Sequence, residues 1–199
     1  MTGANAQPPT AGVGTCYADN VFPRQIIDYL NDYAESMART AEVGTIVRSD
    51  ASIALDQHVR RSKVCWMERS PQSAPIYDFI WQFVQHANRT VFNYDLRGFE
   101  EPLQLATYTA EDQGFYGWHV DTGGGRLANR KLSIVIPLTD PRQYGGGGFE
   151  VFQEHEPTQF EMPLGRMLAF PSYLLHRVKP LTHGVRRSLA VWIAGPPFR

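Results

Sequence analysis

What most restricts the fold open to this chain is a change of period near residue 103. Upstream, apolar residues recur at three- and four-residue steps; downstream they alternate in short runs broken by Gly- and Pro-rich turns. A step of 3.6 buries one stripe of a helix, and a step of two buries one face of a strand. Ile26, Ile27, Leu30, Tyr33, Ala34 and Met37 follow Pro23 and predict a helix. Ile76, Phe79, Ile80, Phe83, Val84 and Ala87 predict a second helix between the break at Pro71 and Pro75 and the strand region, with Ser73 as its N-cap. Residues 103–108, 131–138, 149–152 and 174–178 read as strands, with Pro137 expected at an edge or bulge. Many short strands joined by such turns argue for a mainly β fold, a double-sheet jelly roll backed by the N-terminal helices.

A chain of 199 residues suits one domain with a sizeable core. Residues 1–15, small, polar and rich in Gly and Pro, are expected to form a flexible tail ahead of a single domain over 16–199. Nineteen basic and twenty acidic residues give a net charge of −1, so no bulk electrostatic case exists for nucleic acid or a membrane surface. No apolar run approaches a membrane span, and no basic-then-apolar leader opens the sequence. A cytoplasmic protein with Cys16 and Cys65 as free thiols is the expectation.

Chemistry concentrates at His119-Val120-Asp121. In a strand, residues i and i+2 share a face, so this imidazole and this carboxylate can reach one metal ion. His176, in the 174–178 run, can supply a third ligand. Two histidines and one carboxylate leave coordination positions open and suit non-haem Fe(II) oxygen chemistry, although affinity alone would not exclude adventitious Zn(II). Arg186 is a permanent fork-shaped cation able to hold a carboxylate bidentately, and Ser188 shares its face. Each part alone is weak, since a single histidine in an apolar run is more often a satisfied core residue. His86 reads as packing or surface, and His155 as exposed. Gly123 to Gly125 lack the strand, lysine and helix of a phosphate loop, which rejects nucleotide binding.

The ordered set His119, Asp121, His176, Arg186, Ser188 resembles that of the Fe(II)- and 2-oxoglutarate-dependent dioxygenases, in particular their prolyl 4-hydroxylase-like branch. Arg60, Ser62, Lys63 and Trp66 fit a segment of that branch. So do the strand ending at Tyr108, Tyr116 ahead of the histidine, the Tyr144 and Gly145–Gly148 run, and residues 165–172. The resemblance covers residues 60–67 and 103–194, with a longer loop over 109–114 than the family has. It implies a distorted, cupin-like double-stranded β-helix. Fe(II) would be held by the catalytic ligands His119, Asp121 and His176, and 2-oxoglutarate by Arg186, Ser188 and Tyr108; O2 is the other co-substrate and ascorbate a further candidate. Arg60, Trp66, Tyr116 and Trp118 become candidate substrate contacts, and Trp192 a packing residue. The implied activity is hydroxylation of an unactivated C–H bond, foremost of a prolyl residue in a protein or peptide, with release of succinate and CO2. Hydroxylation of a free amino acid or small metabolite stays open, because collagen-type enzymes carry Lys where this chain has Arg186. A non-catalytic cupin-like metal-binding or sensor domain is the third reading. An intact Arg-x-Ser argues against it, since a mere metal binder has no use for a carboxylate clamp.

Overall fold

The computed structural model describes residues 10–12, 14–47, 53–54, 56–153 and 155–198. Two antiparallel sheets face each other. Across the larger sheet the strands run Thr10–Gly12, Thr15–Ala18, Met167–Pro171, Arg130–Pro137, Val185–Ala194, Leu103–Thr109, Lys63–Met67 and Glu42–Val43. Across the smaller they run Glu156–Phe160, Phe149–Gln153, His176–Val178, Phe115–His119 and Arg60–Arg61. Two helices, α1 (Arg24–Ser36) and α2 (Ala74–Ala87), lie on the far side of the larger sheet.

The larger sheet is therefore covered on both faces, and its central strands are sorted by parity. Leu132, Ile134 and Ile136, with Leu103, Leu105, Leu189, Val191 and Ile193, pack against Ile27 and Leu30 of α1 and Ile76, Ile80 and Val84 of α2. The alternate residues of the same strands face the smaller sheet, where Ala106, Tyr108, Val135, Leu168 and Phe170 meet Phe149, Val151 and Val178. Burial on both faces explains why 131–138 reads as an almost unbroken apolar run. Fully burying one such Leu, Ile or Phe contributes roughly 1.5–3 kcal/mol.

Four local features differ from the sequence expectation. Ser73 stands at the N-cap of α2, but its hydroxyl donates to Glu68 O (2.8 Å) and accepts from Ser70 N (2.8 Å), tying down the preceding turn instead of the helix. Pro137 ends a central strand, two residues past the last one paired with Met167–Pro171, where no ladder bond is demanded of its nitrogen. The strand expected over 174–178 begins only at His176, because a turn closed by Leu174 N on Pro171 O occupies the residues before it. Of the expected tail, residues 1–9 and 13 lie outside the described residues, whereas Thr10–Gly12 pairs with Thr15–Ala18 at the sheet edge, across Gly14 at φ +68°. Cys16 and Cys65 are buried free thiols, and burial pushes Cys16 up to about 11.

Because Leu30 and Ile80 have no exposed surface, Leu30→Ala or Ile80→Ala is expected to destabilise the fold by about 2–5 kcal/mol. Urea midpoints check this, with the exposed Tyr29→Ala as a control expected to stay within about 0.5 kcal/mol.

Candidate active site

His119 closes one strand of the smaller sheet and pairs directly with His176, the first residue of its neighbour. Asp121 follows where the chain leaves the sheet, its amide donating to Ser172 O at 2.9 Å. His119 Nε2 lies 3.7 Å from Asp121 Oδ1, and His176 Nε2 lies 3.4 Å from Asp121 Oδ2. One ligand atom from each of the three falls within 4.8 Å of the others, a spacing that one metal ion can bridge.

Backbone carbonyls fix the tautomers. His119 Nδ1 is 2.8 Å from Gly117 O and His176 Nδ1 is 2.9 Å from Leu174 O. A carbonyl only accepts, so each Nδ1 carries the hydrogen and each Nε2 lone pair faces Asp121. Burial, then the neighbouring His176, holds His119 well below the usual imidazole range and keeps it neutral. Burial works against ionisation of Asp121, but the Arg130 charge and the Ser133 hydrogen bond favour the carboxylate, and the carboxyl is held below its usual range. A neutral imidazole and an ionised carboxylate are the protonation states a cation requires.

Asp121 is oriented from behind. Ser133 Oγ donates to Asp121 Oδ2 at 2.6 Å, Ser172 Oγ sits 3.0 Å from that hydroxyl, and Arg130 Nη1 donates to Asp121 O at 3.2 Å. Sequence reasoning missed these supports. A signal existed for Ser133, the lone hydroxyl in an otherwise apolar run, on the parity that faces the cavity.

The same parity carries the rest of the site. Arg186, Ser188, Ala190 and Trp192 on one strand, and Gln104, Ala106 and Tyr108 on the next, line a cavity of about 730 Å³ together with the three ligands. Arg186 is only 2% exposed. Its Nη1 donates to Ser188 Oγ at 3.3 Å and its guanidinium lies 5.4 Å from the Tyr108 ring centroid. Its Nη2 is buried with no hydrogen-bond partner among the described residues. Leaving a buried donor unmatched costs about 1–3 kcal/mol, more for a charged one, so the site fits an anionic ligand end such as a carboxylate.

Of the substrate-side candidates, the Tyr116 ring stacks on His119 (centroids 3.4 Å apart, 9° between planes), and burial raises its phenol to about 12. The Arg60 guanidinium sits 4.5 Å from the Tyr116 ring centroid and donates to Ser62 Oγ, Thr45 O and Gln104 Oε1. Lys63 of the same segment is exposed. Trp66 and Trp118 both border the cavity. Trp192 packs, with its ring centroid 6.2 Å from that of Trp66, and also forms cavity wall. Arg130, ion-paired with Glu101, lies 3.7 Å from the Trp192 ring centroid; neither charged residue stood out in the sequence. His155 is exposed, His86 is half-buried on α2, and neither lines the cavity.

A double-stranded β-helix with two imidazoles, a carboxylate and a buried guanidinium around one cavity is a cupin-like arrangement able to hold a single metal ion. Residues 103–194, somewhat under half of the chain, match the 2OG-Fe(II) oxygenase superfamily. A PKHD-type hydroxylase of Synechococcus sp. (strain CC9311) is 32% identical over 109 residues, covering 53% of this chain and 50% of the relative. Another, of Cupriavidus metallidurans, is 34% identical over 84 residues, covering 39% and 37%. The chain thus spans half or less of the length of these curated relatives in the matched segments. Among solved structures, a Pseudomonas putida prolyl-4-hydroxylase superposes with a TM-score of 0.71 at 19% identity, over 91% of this chain and 92% of that one. A Trichoplax adhaerens prolyl hydroxylase, solved with a hypoxia inducible factor oxygen degradation domain peptide fragment, gives 0.73 at 17% identity, over 92% and 84%. At these identities the superpositions speak for the fold.

Removing the Ser133 hydroxyl leaves all three ligands in place but frees Asp121. Ser133→Ala is expected to weaken Fe(II) binding by roughly 10–100-fold with little change in thermal unfolding of the metal-free protein. Anaerobic calorimetric titration with Fe(II) reads this directly, and wild-type affinity in the variant would remove Ser133 from the support.

Proposed function

We propose that this chain is an Fe(II)- and 2-oxoglutarate-dependent dioxygenase that hydroxylates a prolyl residue of a protein or peptide. One observation carries the reading: a buried, permanently charged Arg186 offers an unmatched Nη2 in the same cavity as His119, Asp121 and His176. A metal-storing or sensing cupin would bury that charge to no purpose.

His119, Asp121 and His176 would hold Fe(II), and Arg186, Ser188 and Tyr108 the far carboxylate of 2-oxoglutarate. The bound metal supplies the O2 and electron-transfer chemistry, by which one oxygen atom enters a C–H bond while 2-oxoglutarate becomes succinate and CO2. The chain's own task is placement. Arg186 anchors the diacid so that its other end meets the triad. Ser133 fixes the carboxylate that completes the ligand set. Tyr116, flat on His119, keeps water from one side of the imidazole. Trp66, Trp192, Trp118 and Arg60 shape the wall that a substrate ring would meet.

The names of the relatives, PKHD-type hydroxylases and prolyl hydroxylases, support a peptidyl proline as target. Among the described residues no helix is long and apolar enough to cross a membrane. Cytoplasmic work with ascorbate as accessory reductant completes the proposal, supported by the two free thiols.

The test is aerobic incubation with Fe(II), 2-oxoglutarate, ascorbate and a library of proline-containing peptides. Succinate is measured beside peptide mass. The expected result is one added oxygen on at least one peptide with matching succinate, and a 2-oxoglutarate requirement roughly tenfold or more higher in Arg186→Ala. Hydroxylation of a free amino acid without any peptide would replace the substrate assignment. Bound metal with no succinate under any condition would overturn the enzyme reading.

A further inference from the structure

The strands that carry the two histidines have a second face. Val151, His176 and His119 lie on neighbouring strands of the smaller sheet, Val151 paired with His176 and His176 with His119, and are turned toward the interior. One residue beyond this paired row, after Val151 and His119 and before His176 because its strand runs the other way, the side chains turn outward. Those residues are Phe152, Leu175 and Val120, and they are 38%, 38% and 44% exposed. Phe152 N donates to Leu175 O at 2.7 Å, which keeps the row in step beyond the paired residues. Trp118, two residues before Val120, joins the row and is fixed there. Its ring meets Phe152 edge-on at 6.1 Å, and the Arg177 guanidinium, itself tied to Glu150 at 2.6 Å, lies 4.4 Å from its centroid.

A single exposed Leu or Phe needs no explanation, but a contiguous row of four large apolar side chains marks an interaction surface. The row begins at the cavity, since Trp118 and Val120 also line it. We propose that this row is the docking surface for the substrate polypeptide, seating one of its apolar side chains while the target prolyl residue enters the cavity. The inference rests on the prolyl hydroxylase reading and deepens it. A free amino acid held inside the cavity would have no use for a surface outside it. A second copy of the chain seated on the row would cover the cavity rim and compete with substrate, which favours an extended substrate segment as the occupant. A short extended segment, at ~3.3 Å per residue, links the seated side chain to the proline, so offsets of about two to five residues are scanned.

The test uses fluorescein-labelled Gly/Ser peptides with one central proline and one leucine placed at each of those offsets on either side. Binding is followed by anisotropy with Mn(II) and 2-oxoglutarate, so that no turnover intervenes. At least one leucine-bearing peptide is expected to bind the wild type about tenfold or more tighter than the leucine-free parent. That preference should vanish in Phe152→Ser/Leu175→Ser and shrink in Phe152→Ser alone, with 2-oxoglutarate affinity and thermal unfolding unchanged. No preference in the wild type, or an equal one in the variants, overturns the docking role alone. Failure of every peptide to bind while 2-oxoglutarate still does overturns the prolyl reading and the docking role together. A dimer seen by light scattering and abolished by the substitutions would assign the row to a second copy, which also overturns the proposal.

Discussion

The central strands of the larger sheet answer to two partners at once. One parity of each strand must fill the space against α1 and α2, and only large aliphatic side chains do so. The other parity faces the smaller sheet, where the cavity interrupts the packing and polar side chains become tolerable. Ser133, Gln104, Arg186 and Ser188 all sit on that second parity; Ser133 and Gln104 lie between aliphatic neighbours directed at the helices, whereas Arg187, between Arg186 and Ser188, is ion-paired with Glu35 of α1. A slip of one residue in any of these strands would turn a charged or polar group into the helix interface. Registering the site and packing the core are thus one constraint.

That constraint makes the site's electrostatics costly to assemble and specific once assembled. A guanidinium, a carboxylate and two imidazoles are withdrawn from water in one cavity, where each needs a partner. Asp121 finds the Ser133 hydroxyl, and the two histidines find backbone carbonyls; Arg130 finds Glu101 and the Trp192 face. Arg186 alone is left with an unmatched donor among these groups, beside its hydrogen bond to Ser188 and its contact with the Tyr108 ring. The stability given up there is what a dicarboxylic ligand recovers on binding.

Much of this was legible in the sequence, for physical reasons that also mark the limits. Helix stripes and the shift to a period of two are local patterns, so α1, α2 and the β-rich half could be read directly. Arg186 and Ser188 share a strand face, so their pairing follows from spacing; Asp121 meets His119 although it lies just past the end of the strand rather than on its face, and the approach of His176 needed the family resemblance. Arg130, Glu101 and Gln104 join the site only through pairings between strands distant in sequence, which no local pattern encodes. The outward row of Phe152, Leu175 and Val120 was hidden likewise, since its members come from three separate strand ends. Ser73 shows the converse: an ideal capping residue at the right position is taken by a neighbouring turn.

The account depends on a diacid bridging metal and Arg186, and one comparison tests this most directly. The protein is loaded with Fe(II) under argon and titrated with 2-oxoglutarate, then with 2-oxobutyrate, which keeps the keto-acid end and lacks the far carboxylate. The visible charge-transfer absorption of the chelate reports both. The account predicts that 2-oxoglutarate saturates the band at concentrations roughly tenfold or more below those needed for 2-oxobutyrate, reflecting a charged hydrogen-bond pair to Arg186. Equal concentrations for the two acids, or Fe(II) bound with no band from either, would contradict it.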